Sequence, residues 1–326
     1  MFKRALLAGA AALLATTVAV AGTAAAQTAT PPAASQGGEQ RPLRSVGVTV
    51  GSLGNPFFVA IGRGVGDAAR QINPDARVTT VSADYDLNRQ FTQIDNFIAA
   101  GVDLILVNAA DPRAIAPAIR RAQAAGITVV AVDVAAEGAD ATVQTNNVQA
   151  GEIACRHMAE QIGGRGNVII QNGPQVSAVV DRVNGCRRVL GEFPNITLLS
   201  SDQDGRGSRE GGLAVMQGHL TRFPSIQGVF AINDPQAIGT DLAARQLNRT
   251  GIVIVSVDGA PDIVTALRGN TQVRASASQD PYAMGRLAVE TGHAIRQGRP
   301  PAERMILMPS RLVTRENVGE YQGWSR

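Results

Sequence analysis

The feature that most constrains this chain is an alternation of short apolar runs and amphipathic segments in two successive series. The first series has apolar runs at 46–50, 78–82, 104–108 and 128–133, separated by helical patterns from 56, at 88–100 and at 113–125. The second has apolar runs at 168–171, 196–200, 228–232 and 252–257, followed by helical patterns at 177–193, 208–223, 235–247 and 262–269. Continuous apolar runs are typical of strands buried on both faces. The pattern predicts two doubly wound α/β lobes with parallel sheets, divided near residues 145–147.

The N-terminus indicates export. Lys3 and Arg4 precede an uncharged run of small apolar residues at 5–22, and Ala24-Ala25-Ala26 has the form of a signal-peptidase site. A membrane anchor is the alternative, but the run is near the lower length limit and rich in Ala, Gly and Thr. We therefore expect a signal peptide at 1–26, cleaved near Ala26, and a flexible linker at 27–42.

The charge of the chain excludes a nucleic-acid partner. The formal charge of +3 falls close to neutral once the signal peptide is removed, and the remaining basic side chains form no cluster. Binding to nucleic acid or to an anionic membrane surface requires such a cluster.

The chain contains two cysteines, Cys155 and Cys186, each within a helical pattern. In an exported protein two thiols on neighbouring elements can pair, and we expect one disulfide if these two helices lie side by side. A reactive thiol or a metal site is the alternative. No CxxC or HxxxH pattern supports a metal, and none is predicted.

Polar residues stand where the predicted strands end. Asn108, Asp133, Asn233 and Asp258 lie at or just past a strand end. Parallel sheets place these ends along one crevice. Four further acidic or amide residues precede a proline and could instead be helix caps, which is the favoured role for the last three. They are Asn55, Asp111, Asp234 and Asp280.

This set of side chains suits a neutral polyol. Carboxylates accept hydroxyl hydrogen bonds, and amides both accept and donate. Phe57 and Phe58 can cover the apolar C–H face of a sugar. Because there is no positive cluster, a phosphate or dicarboxylate ligand is not expected.

These stretches resemble the periplasmic sugar-binding proteins of ABC importers, in the ribose-binding branch of the type I periplasmic binding fold. The motifs that carry the resemblance are GNPFF (54–58), LVNAAD (106–111), VAVD (130–133), VFAIND (229–234) and VDGAPD (257–262). Any one of them is weak, but all five occur in the family's order. The resemblance covers about residues 46–314.

The resemblance implies a ligand-binding set that can be carried over position by position. It comprises Asn55, Phe57, Phe58, Asn108, Asp133, Arg182, Asn233, Asp258 and Gln279. At three positions this chain departs from the family: Gly51 replaces a Ser, Val134 replaces an Arg, and Gln203 replaces a Phe. Gln203 is retained as a tenth candidate. Arg182 has the alternative of a surface residue next to Asp181. The departures make ribose a doubtful ligand.

Enzymatic alternatives have little support. Gly62, Gly64 and Gly66 hint at a nucleotide loop, but they fall inside a helical pattern, where close helix packing is the simpler explanation. Asp133 and Asp258 could imitate a glycosidase pair, although hydroxyl recognition explains both. A repressor core with the same fold is a second rival, but the signal peptide occupies the place of its DNA-binding region. We expect no enzyme activity and no cofactor.

The implied function is capture of a neutral monosaccharide or sugar alcohol in the periplasm and its delivery to a membrane ABC permease. A sensor that feeds a chemoreceptor or regulator is the alternative, and the chain is expected to be a monomer. The expected lobes are 43–145 with 280–309, and 146–279 with 310–326. They should be joined by a three-strand hinge near 145–147, 279–280 and 309–312.

Overall fold

The computed structural model of the protein describes residues 42–324. The expected signal peptide, all of the expected linker except Pro42, and the last two residues lie outside the described residues. Within the described range no helix is long and apolar enough to cross a bilayer.

Strands and helices alternate along most of the chain. The strands are β1 (Ser45–Val50), β2 (Arg77–Ser82), β3 (Leu104–Val107), β4 (Thr128–Val132), β5 (Ala141–Thr145), β6 (Arg165–Gln171), β7 (Asn195–Ser200), β8 (Gly228–Ala231), β9 (Val253–Asp258), β10 (Val273–Ser278), β11 (Met305–Met308) and β12 (Arg311–Thr314). The helices are α1 (Pro56–Ile72), α2 (Leu87–Ala99), α3 (Ala116–Ala124), α4 (Asn147–Gln161), α5 (Ser177–Leu190), α6 (Arg209–Arg222), α7 (Asp234–Gln246), α8 (Pro261–Arg268) and α9 (Pro281–Arg296).

Two six-stranded sheets share one topology. The first has the order β11-β5-β4-β3-β1-β2 and the second the order β12-β10-β9-β8-β6-β7. Every pair in the first sheet is parallel, whereas β12 runs antiparallel to β10 in the second. The predicted fold class of two parallel-sheet α/β lobes is confirmed, and the antiparallel edge strand is an addition to it. Because the orders match, each strand of one sheet has a counterpart in the other.

Position in the sheet explains which strands are fully apolar. All four residues of β3 and all four of β8 are buried, since neighbouring strands and helices cover them. The outer strands β2 and β7 are more polar and partly exposed. Charged and polar residues on such edges protect a sheet from pairing with another chain.

The chain passes between the sheets three times. It leaves the first sheet after Thr145, returns after Ser278, and crosses again between Met308 and Arg311. Helix α4 packs on strands of the second sheet and α9 on strands of the first. This distribution supports the proposed lobes, whose exact boundaries stay a prediction.

Helix packing accounts for the glycines that suggested a nucleotide loop. A Cβ atom on Gly64 would lie 2.1 Å from the carbonyl oxygen of Tyr282, so α1 and α9 touch along their backbones. Gly62, Gly64 and Gly66 all lie within α1, away from any strand-to-helix turn.

The disulfide depends on the same kind of close approach. A Cβ atom on Gly151 would lie 2.1 Å from the carbonyl oxygen of Arg182, and one on Gly185 would lie 2.3 Å from that of Val148. Helices α4 and α5 are thereby brought into backbone contact. Cys155 and Cys186 are bonded to each other, with their Cα atoms 5.2 Å apart.

Replacing both cysteines with alanine should lower the free energy of unfolding by about 3–4 kcal/mol, because the bond closes a loop of 31 residues in the unfolded chain. Ligand affinity should stay close to that of the wild type, since neither sulfur lines the candidate site. Chemical denaturation and titration calorimetry of the same samples measure the two effects. Two free thiols in the denatured, non-reduced wild-type protein would show that the bond does not form.

Candidate functional site

A cavity lies where the carboxyl ends of the two sheets face each other. Nine of the ten predicted binding residues line it: Asn55, Phe57, Phe58, Asn108, Asp133, Arg182, Asn233, Asp258 and Gln279. The rule that ligands bind at the carboxyl ends of parallel strands therefore located the cavity.

Two aspartates occupy equivalent places in the two sheets. Asp133 directly follows β4 and Asp258 ends β9, and these strands are counterparts. Both have left-handed backbone, with φ of 69° at Asp133 and 136° at Asp258. Non-glycine residues in this region cost of order 1–3 kcal/mol each and concentrate at functional sites. Both aspartates line the shared cavity.

Three acceptor atoms on the cavity residues have no hydrogen-bond partner among the described residues. They are Asn108 Oδ1, Asp133 Oδ1 and Gln279 Oε1. The amide donors of the same residues are occupied: Asn108 Nδ2 donates to Asp133 Oδ2 (2.8 Å), and Gln279 Nε2 donates to Asp258 Oδ1 (2.8 Å). The orientation of both amides is fixed, because each NH₂ faces a carboxylate. The three acceptor atoms therefore remain available to donor groups of a ligand.

Arg182 is buried in the cavity wall and is not a surface residue. Its Nε donates to Asn147 Oδ1 (2.8 Å) and its Nη1 to the carbonyl oxygen of Ile232 (2.9 Å). Nη1 also lies 3.6 Å from Asp258 Oδ1. The guanidinium therefore supports the Asp258 carboxylate and is itself held by neutral acceptors.

The capping roles of Asn233 and Asp234 were predicted the wrong way round. Asn233 caps α7, because its side chain accepts from the backbone N–H of Gln236 (3.1 Å). Asp234 lies inside the helix start and accepts from Ser256 Oγ (2.5 Å) and Ser276 Oγ (2.7 Å). The proline at position 235 misled the prediction, since it is compatible with a cap at either preceding residue.

Two of the other three candidate caps are found. Asn55 accepts from the N–H of Phe57 at the start of α1, and Asp280 from the N–H of Ala283 at the start of α9. Asp111 instead accepts two backbone N–H groups in the turn before α3, whose N-cap residue is Ile115. Asn55 also lines the cavity, so capping and ligand contact are compatible there.

Gln203 is a correction to the predicted set. Its side chain is exposed, donates to Asp202 Oδ1 (3.3 Å), and does not line the cavity. The loop after β7 instead presents Gly207, whose backbone carbonyl accepts from Asn233 Nδ2 (2.9 Å). The polar residues of this loop allow several alignments, and the one chosen from sequence was wrong.

Val134, a second departure from the family pattern, changes one wall of the cavity. Val134 is buried and lines the cavity with Val176, Val179 and Ile232, so an apolar strip stands where a guanidinium was expected. Beside it, the backbone N–H of Ala135 donates to Ser177 Oγ (2.7 Å), which joins the strand ends of one sheet to a helix of the other.

Two residues that contribute to the site were not predicted. Tyr85 lies in the loop that follows β2 and lines the cavity, so the strand-end rule indicates this loop but not the residue. Trp324 carries no such sequence signal. Its ring packs against Phe57 (centroids 5.6 Å apart), and its Nε1 donates to the carbonyl oxygens of Asp258 (3.2 Å) and Gln279 (3.1 Å). Trp324 thus fixes residues from both sides of the cavity.

Burial shifts the acidity of both aspartates. It raises the pKa of Asp133 to about 7, against the opposing effect of Arg182, and the charge of Asp258 adds to the rise. It raises the pKa of Asp258 to about 6, again opposed by Arg182 and by the hydrogen bond from Gln279. Both carboxyl groups are therefore protonated at a higher pH than exposed carboxyl groups are.

Comparison with known proteins gives the family. The family model described as periplasmic binding protein domain matches residues 46–300. This chain belongs to the periplasmic binding protein family. A relative is the ribose import binding protein of Bacillus subtilis (strain 168), which is 32% identical over 83% of this chain and 88% of its own length.

Two further proteins are similar to this chain over much of its length. The xylitol-binding protein of Mycolicibacterium smegmatis is 29% identical over 84% of this chain and 78% of its own. The solved structure of an ABC transporter solute binding protein from Mycobacterium smegmatis with bound glycerol is 28% identical, with a TM-score of 0.79, and covers 86% of this chain and 98% of its own.

Alanine substitutions at two aspartates of this periplasmic binding protein should have different effects on ligand binding. Asp258→Ala should weaken ligand binding by roughly 1.5–3 kcal/mol, because it removes charged acceptors inside the cavity. Asp262→Ala removes only an exposed ion pair with Arg209, which contributes about 0–1 kcal/mol, and should leave affinity unchanged. Asp262 is not the cap of α8, whose N-cap residue is Ala260. Calorimetry and thermal melting of both variants test the contrast, and an affinity loss confined to Asp262→Ala would place the site elsewhere.

Ligand affinity should depend on pH. Ligand hydroxyls donate to ionised carboxylates, so binding favours the deprotonated forms of Asp133 and Asp258. With pKa values of about 7 and about 6, affinity should fall as the pH is lowered through this window and level off above it. Asp133→Asn should weaken binding and flatten the upper part of the profile. Titrations from about pH 5 to about pH 8 measure this, and a wild-type affinity that does not change with pH would contradict it.

Proposed function

We propose that this chain is the periplasmic substrate-binding protein of an ABC importer, and that it captures a neutral monosaccharide or sugar alcohol between its two lobes. The observation that carries this proposal is the set of buried acceptors without donors, Asn108 Oδ1, Asp133 Oδ1 and Gln279 Oε1. A ligand that supplies several hydroxyl donors satisfies all three. The ligands named for the related proteins belong to the same chemical class. The family is one of binding and transport, and the chain is not an enzyme.

Capture and delivery follow from the placement of the binding residues. Asn108 and Asp133 follow strands of the first sheet, whereas Asp258 and Asn233 follow strands of the second. A ligand that bonds to both sides stabilises the closed arrangement through contacts that an open one lacks. The membrane permease then distinguishes the loaded protein by its closed form.

Three finer points complete the proposal. The mature chain is exported after cleavage near Ala26 and acts as a monomer. Its partner is the permease. No feature of residues 42–324 favours a chemoreceptor as a second partner, so the proposal is limited to transport.

The cavity should prefer an alditol to the matching cyclic sugar. A ring oxygen accepts but cannot donate, and the buried atoms that lack partners are acceptors too. Val134 offers no donor where the family carries an Arg. A ring oxygen against this wall therefore loses its hydration without a replacement, which costs about 1–3 kcal/mol.

The test compares matched pairs: ribitol with D-ribose, xylitol with D-xylose, and erythritol with D-erythrose. A bound ligand raises the melting temperature by mass action, and calorimetry ranks the affinities. We expect at least one alditol to bind roughly tenfold more tightly than its sugar. Ribose phosphate serves as the charged control and should not bind. Tightest binding of D-ribose would overturn the preference, and no shift with any neutral polyol or sugar would overturn the function.

A further inference from the structure

The loop that follows β2 has an uncommon backbone. Asp84 (φ 51°) and Tyr85 (φ 58°) are consecutive non-glycine residues in the left-handed region. Such residues persist only where surrounding contacts over-determine the conformation, and they gather at ligand sites. This loop is also the topological counterpart of the loop after β7, where the family pattern expects an aromatic residue and this chain has the exposed Gln203.

Several hydrogen bonds hold the loop in place. The N–H of Ala83 donates to the carbonyl oxygen of Val50 (2.8 Å), and the N–H of Asp86 donates to that of Ala83 (2.9 Å). Asp84 accepts from Ser82 Oγ (2.6 Å) and forms an ion pair with Arg89. Asp86 in turn caps α2. The conformation of Tyr85 is therefore built into the fold.

The ring of Tyr85 lies directly on Gly51. A Cβ atom at Gly51 would stand 2.6 Å from Tyr85 Cε1 and 2.7 Å from Cζ, which is too close for any side chain. Gly51 is the position at which the family pattern has a Ser. The loss of that Ser and the presence of the aromatic ring are thus two parts of one change.

Tyr85 separates two spaces. On its inner side it lines the ligand cavity, and on its outer side it lines a vestibule with Ser52, Arg206 and Glu210. Across the cleft, a Cβ atom at Gly207 would lie 4.0 Å from the Tyr85 hydroxyl oxygen. The ring therefore stands between the cavity and the vestibule.

The hydroxyl of Tyr85 is available to a ligand. It makes no hydrogen bond to another residue in the range 42–324. Burial and the nearby charges of Asp133 and Asp258 raise its pKa, so it stays protonated and able to donate. Enclosed tyrosine hydroxyls usually have a partner.

We propose that Tyr85 is a specificity-determining wall of the ligand cavity, and that Gly51 is the residue that makes room for it. The ring covers the C–H face of the ligand and closes the cavity toward the vestibule, while the hydroxyl donates to a ligand oxygen. The aromatic surface missing at Gln203 is thereby supplied from the equivalent loop of the other lobe. This inference rests on the proposed function.

The test is a double-mutant cycle on positions 51 and 85, each variant titrated with ribitol, xylitol and D-ribose. Tyr85→Phe should weaken binding of the preferred probe about 2- to 10-fold, because it removes one hydrogen bond. Tyr85→Ala should weaken it more, since the wall is lost as well. Gly51→Ser displaces the ring and should resemble Tyr85→Ala. The double variant Gly51→Ser/Tyr85→Ala should be no worse than Tyr85→Ala alone, because the two changes remove the same contact.

Controls keep the outcome interpretable. Tyr282→Phe removes a tyrosine hydroxyl that donates to Asp67 on the outer surface and should keep wild-type affinity. If Gly51→Ser alone does not fold, recovery of folding in the double variant supports the clash with the ring. The inference is overturned if Tyr85→Phe and Tyr85→Ala keep the wild-type affinity, or if the losses in the cycle are additive. The proposed function still stands in that case, provided that the wild-type protein binds one of the probes. A wild-type protein that binds none of the screened polyols and sugars overturns both.

Discussion

Three buried acceptor atoms without donors set the chemistry of this cleft. A buried polar atom without a partner costs free energy, so closure around a ligand is favourable only if that ligand brings donors to these atoms. Asp133 strengthens this requirement because its carboxylate is buried, which its raised pKa of about 7 reflects. A ligand that donates hydroxyl hydrogen bonds meets the requirement. The same atoms thus provide recognition and favour closure around the ligand.

The duplicated topology explains how the acceptors come together. Counterpart strands β4 and β9 end in aspartates with left-handed backbones, and counterpart strands β3 and β8 lead into asparagines. Arg182 and Asn147 fix one carboxylate from the side, and Trp324 fixes the backbone behind it. Although Trp324 was expected to belong to the second lobe, its ring packs in the core cluster around α1. The C-terminal segment therefore contacts both halves of the site.

Periodicity predicted the fold well, because buried parallel strands and amphipathic helices leave strong patterns. It did not predict β5, β10, β11 and β12, because these strands have shorter apolar runs or lie at the edge of a sheet. For the site, nine of ten residues came from strand ends and from the family resemblance, and the structure places these nine around one cavity. Gln203 failed because a polar loop offers no periodicity with which to fix an alignment. Tyr85 depends on a glycine 34 positions earlier making room for its ring, and Trp324 on tertiary contacts alone; neither relation is visible in local sequence.

The central claim is that ligand hydroxyls satisfy the buried acceptors, and a crystal structure of the complex with the tightest-binding polyol or sugar tests it most directly. The account predicts ligand hydroxyl oxygens within about 3 Å of Asn108 Oδ1, Asp133 Oδ1 and Gln279 Oε1. It also predicts that no acceptor-only ligand oxygen faces these three atoms. A complex in which ordered water satisfies the three acceptors, while the ligand contacts other residues, would contradict the account.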